Sequence, residues 1–164
     1  MLQRRNPETK GERDLGSLYN DMVRFFLNGD WQFTPIEGKP LVRLGFSGKN
    51  GNWTCLAQAK DEQQQVIFYS ICSVNVPEDK RQAVAEFLTR ANYGLILGNF
   101  ELDFDDGEVR YKTSVDVGGD GISSEMMEPL IYVNLAMMDK YLPGLMAVTF
   151  GDVSPAESVR NIED

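Results

Sequence analysis

Any chemistry in this chain would have to proceed without histidine, because the sequence contains none. Without histidine the chain cannot form a Ser-His-Asp triad, a Cys-His pair, an HExxH zinc site or a histidine general base. An enzyme built on this sequence would need a lysine or a carboxylate as its base. Two acidic groups are therefore the candidates for a metal-dependent or acid-base activity.

The first candidate is the glycine-rich loop from Asp116 to Gly121. The carboxylate oxygens of Asp116 and Asp120 could hold a divalent ion. A small-molecule or divalent-metal-dependent enzyme that uses the Asp116 to Asp120 loop is therefore the alternative function. Glycine and aspartate are also what a strand-to-helix loop needs for positive φ angles and for capping. This structural interpretation is favoured, and we predict no catalytic residue, no cofactor and no metal ion.

The second candidate consists of Asp103, Asp105, Asp106 and Glu108. A two-residue turn at Asp106 and Gly107 would pair Phe104 with Val109 and Asp103 with Arg110. Acids would then face bases on one side of the hairpin, as cross-strand pairing prefers. The order of an EF-hand loop is absent, because the fifth ligand position would fall on Gly107. We therefore predict a charge-paired hairpin at this place.

The segment from Gly45 to Gly51 has some features of a phosphate-binding loop. The Walker A pattern would require glycine at position 43 and serine or threonine at position 50, where this chain has Arg43 and Asn50. A two-residue turn at Asn50 and Gly51 accounts for the segment. It would place Val42 opposite Ala59, in a hairpin whose two strands bury the same face.

The elements that would carry these residues form an α+β domain. Helical spacing of apolar residues begins at Leu15, and the strand from Val66 to Ser73 is apolar on both faces, which predicts a strand that is central or covered on both sides. An amphipathic helix runs from Pro77 to Asn92, and a small helix follows a capping box at Ser154. We predict an antiparallel sheet of about five strands in α-β-β-β-α-β-β-α order, with helices packed on it and a short C-terminal helix.

A long apolar helix is predicted from Ser123 to Leu142, with a separate short apolar segment from Leu145 to Phe150. One stripe of this helix must pack on the sheet. A second stripe consists of Met126, Leu130, Val133, Met137 and Tyr141. This stripe is the candidate partner or dimer interface, because methionine side chains adapt to varied partners. It could instead lie under other elements of the same chain, and both interpretations stay open.

Composition limits the environment and the partners of the chain. Its 164 residues fit a single domain, predicted over residues 13–164, behind a flexible N-terminal arm over residues 1–12. A formal charge of −9 argues against nucleic acid as a partner, and no apolar run is long enough for a membrane span. The charged N-terminus lacks the apolar stretch of a signal peptide, so we expect a cytoplasmic protein with Cys55 and Cys72 as buried free thiols.

Four stretches of the sequence are typical of a known family: VPEDKRQAVAEFLTRAN, GLILGNFELDFDDGEVRYKTSVD, the helix around MMEPLIYVNLAMMDKYLPGL, and VSPAES. Through them the chain, over about residues 13–162, resembles the YbjN-like family, which has the fold of type III secretion chaperones. The resemblance implies an antiparallel α+β domain, a tendency to form homodimers and a chaperone-like or regulatory role. Secretion chaperones of this fold bind extended segments of client proteins and have no enzymatic activity. No family site residue can be carried over.

Taken together, these features predict a non-enzymatic protein-interaction module, chaperone-like or regulatory, that binds a polypeptide partner or client as a homodimer. The prediction rests on the element order, the missing catalytic groups and the surplus of apolar helix surface. A permanent subunit of a larger complex would differ only in how long the partner stays bound.

Overall fold

The computed structural model describes residues 14–164, so the predicted arm over residues 1–12 lies outside the described residues. The described part has four α-helices: α1 Ser17–Asn28, α2 Arg81–Asn92, α3 Ser124–Phe150 and α4 Pro155–Glu163. It has six strands: β1 Thr34–Pro35, β2 Leu41–Ser47, β3 Asn52–Lys60, β4 Gln65–Ile71, β5 Asn99–Leu102 and β6 Val109–Asp116. The strands form one antiparallel sheet in the order β1-β2-β3-β4-β6-β5. The α+β class is confirmed, and the short edge strand β1 raises the predicted five strands to six.

Both hairpin loops are longer than predicted, and both registers are therefore shifted by two residues. The loop between β2 and β3 spans residues 48–51, and Val42 faces Ala57, two residues before its predicted partner. The loop between β5 and β6 spans residues 103–108, and Val109 faces Leu102, again two residues before its predicted partner. A shift of two leaves every side chain on the same face, because side chains alternate along a strand with a period of two. The predicted faces hold, whereas the predicted cross-strand partners are wrong.

Helix α3 is longer than predicted, because the apolar segment from Leu145 to Phe150 continues the helix instead of following it. Pro143 removes one backbone donor inside the helix, which by itself favours a break. The turn after it is held by close packing: a Cβ at Gly144 would lie 2.9 Å from the Phe87 ring of α2. Ser158 on α4 also donates a hydrogen bond to the Gly144 carbonyl at 2.9 Å. Contacts with α2 and α4 therefore keep the end of α3 helical.

The helices pack on one face of the sheet. Helix α3 lies on β4 and β6, α1 lies on β3, α2 lies beside β5, and α4 packs on α2 and α3. The strands bury small and aromatic side chains on this face, among them Ala57, Phe68 and Tyr111. No described helix covers the opposite face, so β4 is central, as predicted, but covered on one side only. Among residues 14–164, no helix combines the length and the apolarity needed to cross a membrane.

A buried polar side chain of α3 connects this helix with the sheet. Asn134 is completely buried, and its Nδ2 donates to the carbonyl oxygens of Phe68 at 2.9 Å and of Tyr111 at 3.1 Å. The same atom lies 3.1 Å from the hydroxyl of Thr113. The Asn134 amide therefore sets the position of α3 over β4 and β6, which are neighbours in the sheet.

Candidate protein-interaction surfaces

Three of the acidic residues that were candidates for catalysis, Asp103, Asp106 and Asp116, bind the backbone of their own loops. Asp116 Oδ1 accepts a hydrogen bond from the backbone N–H of Gly118 at 3.0 Å. In the loop between β5 and β6, Asp103 Oδ1 accepts one from the N–H of Asp105 at 2.8 Å. No group of three acidic or cysteine side chains converges as a metal site would require anywhere in residues 14–164. These bonds account for the aspartates as residues that shape tight loops.

The predicted interface stripe of α3 is only partly accessible. Leu130 and Tyr141 are buried inside the chain, and the Tyr141 ring packs edge-on against Phe100 with ring centres 5.6 Å apart. Burial, together with the hydrogen bond that its hydroxyl donates to Glu163, raises the pKa of Tyr141. The half-buried members of the stripe are Met126, Val133 and Met137. An interface at this stripe stays a prediction, and these three residues are the ones that a partner could reach.

The two most exposed large apolar residues that the structure describes lie in the loop that follows α2, residues 93–97, which we call the apolar loop. Tyr93 is 92% exposed, Ile96 is 93% exposed and Leu97 is 49% exposed. Sequence reasoning missed these residues, because it treated the end of α2 as a simple stop. The available signal was four large apolar residues within five positions, YGLIL, in a stretch without helical or strand periodicity.

The apolar loop and the α3 stripe lie side by side, because both contact the same part of β6. The Tyr111 hydroxyl donates to the Leu97 carbonyl at 2.5 Å. Two residues further on, the Thr113 hydroxyl donates to the Leu130 carbonyl of α3 at 2.5 Å. The Cγ2 of Thr113 would also lie 2.8 Å from a Cβ at Gly98, directly after the loop. We call the accessible residues of loop and stripe the apolar flank: Tyr93, Ile96, Leu97, Met126, Val133 and Met137.

The sheet face that no helix covers, which we call the open sheet face, has an apolar centre. Leu56 on β3 faces Tyr69 on β4, and the neighbouring residues of β4 on the same face are Ile67 and Ile71. These side chains are half-buried, except for Ile67, which its neighbours bury more deeply. The sequence signal for this patch was a strand that is apolar on both faces, and the structure shows that only one of those faces is packed.

Basic residues border the apolar centre of the open sheet face on two sides. Arg43 of β2 faces Leu56, and Lys112 of β6 faces Tyr69, so one row across four strands reads Arg43, Leu56, Tyr69, Lys112. The guanidinium carbon of Arg110 lies 4.4 Å from the centre of the Tyr69 ring, a cation-π geometry. The centre of this face is therefore flanked by cations, although the whole chain carries a net charge of −9.

Glu101 on β5 neutralises part of this basic border. Its carboxylate accepts hydrogen bonds from Arg110 Nε and Lys112 Nζ, each at 2.5 Å. Burial opposes ionisation of this carboxyl, but the hydrogen bonds and charges of Lys112 and Arg110 outweigh it and lower the pKa of Glu101. Across the sheet, Arg43 forms no salt bridge with any described residue. The border therefore keeps an excess of positive charge.

Cys55 and Cys72 are buried free thiols, as predicted. Burial raises the pKa of Cys55 to about 11 and also raises the pKa of Cys72. A thiol becomes a nucleophile or metal ligand as the thiolate, so a raised pKa makes both cysteines unreactive. The Cys55 sulfur lies 3.6 Å from the hydroxyl of Ser70, which in turn accepts a hydrogen bond from the Trp53 indole at 2.9 Å. Both cysteines are part of the core.

Among solved structures, the fold is similar to the crystal structure of YbjN, "a putative transcription regulator from E. coli", with a TM-score of 0.56 and 10% sequence identity. The match covers 74% of this chain and 85% of that chain, and it shows a shared fold. The structure of the ExsC-ExsE complex matches with a TM-score of 0.45 and 13% identity, over 72% of this chain and 84% of that chain. No curated protein sequence matches this chain.

A family model supplies the assignment that these weak identities do not. The model of the YbjN family, described as "Putative bacterial sensory transduction regulator", matches residues 23–146. This segment runs from within α1 to within α3, so it contains the entire sheet and α2 and makes up well over half of the chain. The resemblance read from the sequence is therefore confirmed, and the chain belongs to the YbjN family.

Proposed function

We propose that this chain is a non-enzymatic protein-interaction module, chaperone-like or regulatory, that binds a polypeptide partner and works in the cytoplasm as a homodimer. The observation that carries the proposal is the apolar flank. Its exposed residues are large and apolar, and hydrogen bonds from β6 hold both the loop and the helix that carry the flank. The description of the family as a regulator supports a role in which the chain acts by binding.

The exposed part of the apolar flank supplies a driving force for association that is of the same order as the cost of association. Covering one large apolar side chain is worth about 1.5–3 kcal/mol. A symmetric dimer would cover Tyr93, Ile96 and Leu97 from both copies, and six such side chains would contribute up to about 9–18 kcal/mol. Association itself costs about 4–15 kcal/mol. The two ranges overlap, so burial of the loop residues can offset the cost of association, and Met126, Val133 and Met137 would extend the contact and add to the gain.

The β5 edge of the sheet is protected, so the proposed dimer would form through side chains and not by pairing of β5 with a second β5. The Asn92 side chain accepts a hydrogen bond from the Phe100 N–H at 2.7 Å and donates one to the Phe100 carbonyl at 3.1 Å. These bonds occupy the outward-facing backbone groups in the middle of β5. Blocking an edge strand in this way is a common means of preventing strand addition.

Light scattering coupled to gel filtration tests the proposal with Ile96→Glu and a matched control. We expect the wild-type chain to have twice the monomer mass of 18.5 kDa at high micromolar concentration, and Ile96→Glu to have the monomer mass. The control Leu27→Glu replaces a 61% exposed residue at the end of α1, away from the apolar flank, and should remain a dimer. A monomeric wild type, or equal dissociation of both variants, would contradict the proposed dimer.

Binding of a polypeptide through the flank requires a separate measurement. A photo-crosslinking amino acid at position 96 would report what covers the apolar loop in cells, and mass spectrometry would identify the product. Crosslinked pairs of this chain would support the dimer. A defined foreign protein crosslinked in place of a second copy would support the protein-interaction module and contradict the homodimer. Crosslinking to neither would contradict the flank as a contact surface.

A further inference from the structure

A second surface of the domain, the open sheet face, has features that the apolar flank lacks. Its apolar centre is formed by Leu56 and Tyr69, and the cations on either side of this pair are Arg43 and Lys112. The flank differs in arrangement, because its neighbouring cations, Arg90 and Arg160, lie together beside Tyr93. A partner that fits the open sheet face must therefore supply apolar side chains at the centre and negative charge on both sides of them.

We propose that the open sheet face binds an extended segment of a partner protein in which two acidic residues, four positions apart, enclose an apolar residue. The acidic residues would lie over Arg43 and Lys112, and the apolar residue between them would lie over Leu56 and Tyr69. The inference rests on the proposed function, since it specifies the class of polypeptide bound. It concerns a different surface from the proposed dimer contact.

The spacing follows from the geometry of strands. Neighbouring strands are about 4.8 Å apart, so the three steps from β2 through β3 and β4 to β6 place Arg43 and Lys112 about 14 Å apart. An extended segment advances about 3.3 Å per residue, and residues i, i+2 and i+4 point to the same side. Residues i and i+4 are therefore about 13 Å apart, which matches the separation of the two cations. The residue at i+2 falls over the apolar pair between them.

The charges favour an acidic partner over the other possible occupants. A second copy of this chain would bring its own Arg43 and Lys112 to the same face in a symmetric contact, and like charges would repel. Nucleic acid would require a larger basic cluster, whereas here apolar side chains occupy the centre. Glu101 binds Lys112, but the ammonium group of Lys112 has three donors and can bind a second carboxylate as well. Acidic residues on a peptide would instead compensate Arg43, which forms no salt bridge within residues 14–164.

Peptide binding to the full chain tests the inference, measured by fluorescence anisotropy and mapped by amide chemical shifts in NMR spectra. The probe is a labelled nine-residue peptide with the core Glu-Thr-Leu-Thr-Glu, and its matched control has lysine in place of both glutamates. We expect the acidic peptide to bind and to shift the amides of Leu56, Ile67 and Tyr69. The lysine peptide should bind far more weakly. Added salt should weaken binding of the acidic peptide, because the contact is partly ionic.

Charge reversal in the protein provides the second arm. Arg43→Glu is expected to lower the affinity for the acidic peptide by about fivefold or more, because it replaces an attraction with a repulsion of similar size. The control Arg24→Glu changes an exposed arginine on α1, on the helix-covered side, and should leave the affinity unchanged. Both arginines are exposed, so neither exchange disturbs the core.

Binding of something other than an acidic peptide to the open sheet face would give a different experimental result. Equal binding of both peptides, equal effects of both arginine variants, or tighter binding of a single-stranded oligonucleotide would overturn the inference. A change of mass from dimer to monomer in Arg43→Glu would assign the face to a second copy and overturn it as well. Shifts confined to the apolar loop would overturn it while leaving the proposed function intact. The dimer and its dissociation by Ile96→Glu do not depend on any of these outcomes.

Discussion

Replacement of Asn134 by aspartate should weaken the attachment of α3 to the sheet without changing the size of the side chain. The exchange turns the donor Nδ2 into an acceptor oxygen. In the wild-type chain this atom lies 2.9 Å from the carbonyl oxygen of Phe68 and 3.1 Å from that of Tyr111. Aspartate would therefore place a negatively charged oxygen against two carbonyl oxygens at a site that is completely buried.

The size of the effect follows from these contacts. Loss of the hydrogen bonds from Nδ2 costs about 1 kcal/mol each, and an uncompensated buried charge adds about 3–5 kcal/mol. We expect Asn134→Asp to lower the free energy of unfolding by more than about 5 kcal/mol at pH 7.5. Asn134→Ala loses the same bonds but also removes Oδ1, which accepts no hydrogen bond from residues 14–164. Its net cost should be smaller, about 2 kcal/mol.

Urea unfolding followed by circular dichroism measures both variants at pH 7.5 and pH 5. A carboxyl group in this site would have a folded-state pKa raised by burial above the unfolded value of about 3.9. Its neutral form is tolerated best, so the stability of Asn134→Asp should increase as the pH falls through the folded pKa. Asn134→Ala should show no such change relative to the wild type. An aspartate variant as stable as the alanine variant, or equally unstable at both pH values, would refute this account of the Asn134 contact.

Three further perturbations follow from the structure. Gly107→Ala should cost more than about 2 kcal/mol by thermal unfolding, because φ is 81° and a Cβ would collide with the Val76 carbonyl, whereas Gly118→Ala, with φ of 61° and open space, should cost about 1 kcal/mol; equal effects would contradict this. Glu101→Gln should cost at most about 1 kcal/mol at pH 7, since solvent screens the pairs. Because the folded pKa of Glu101 is lowered, urea midpoints of variant and wild type should converge as the pH falls through it, and a constant difference would be inconsistent. Cys55, whose pKa is raised to about 11, should react with a thiol reagent only as fast as the chain opens, and rapid labelling of the folded protein would disprove its burial.

The hairpins show how far local patterns reach. The alternation of apolar residues predicts correctly that Val42 and Val109 point into the core. It cannot distinguish a register from one shifted by two residues, because both bury the same face. The length of each loop decides between them, and that length depends on distant contacts. In the loop between β5 and β6, for example, the Gly107 carbonyl accepts a hydrogen bond from the Val76 N–H at 2.8 Å.

The candidate surfaces show where sequence reasoning stopped. The stripe on α3 was identified by its spacing, but two of its residues are buried. Tyr141 packs against α2, β5 and α4, and Leu130 contacts Thr113 of β6. The apolar loop was missed, because the sequence of a short apolar stretch does not indicate whether the stretch is buried or exposed. Exposure depends on what packs against a residue, and that information is not local.

By itself, the amino-acid sequence determined the α+β element order, the buried face of each strand and the exclusion of histidine-based chemistry. These properties follow from periodicity, which is visible within a few residues, and from composition, which is a property of the whole chain. Neither depends on which distant segments come into contact. The tertiary structure alone decided the registers, the continuous α3 helix and the two surfaces at which a partner could bind. Those properties depend on which distant segments meet, because a side chain that is apolar in the sequence becomes a contact surface only where no other segment covers it.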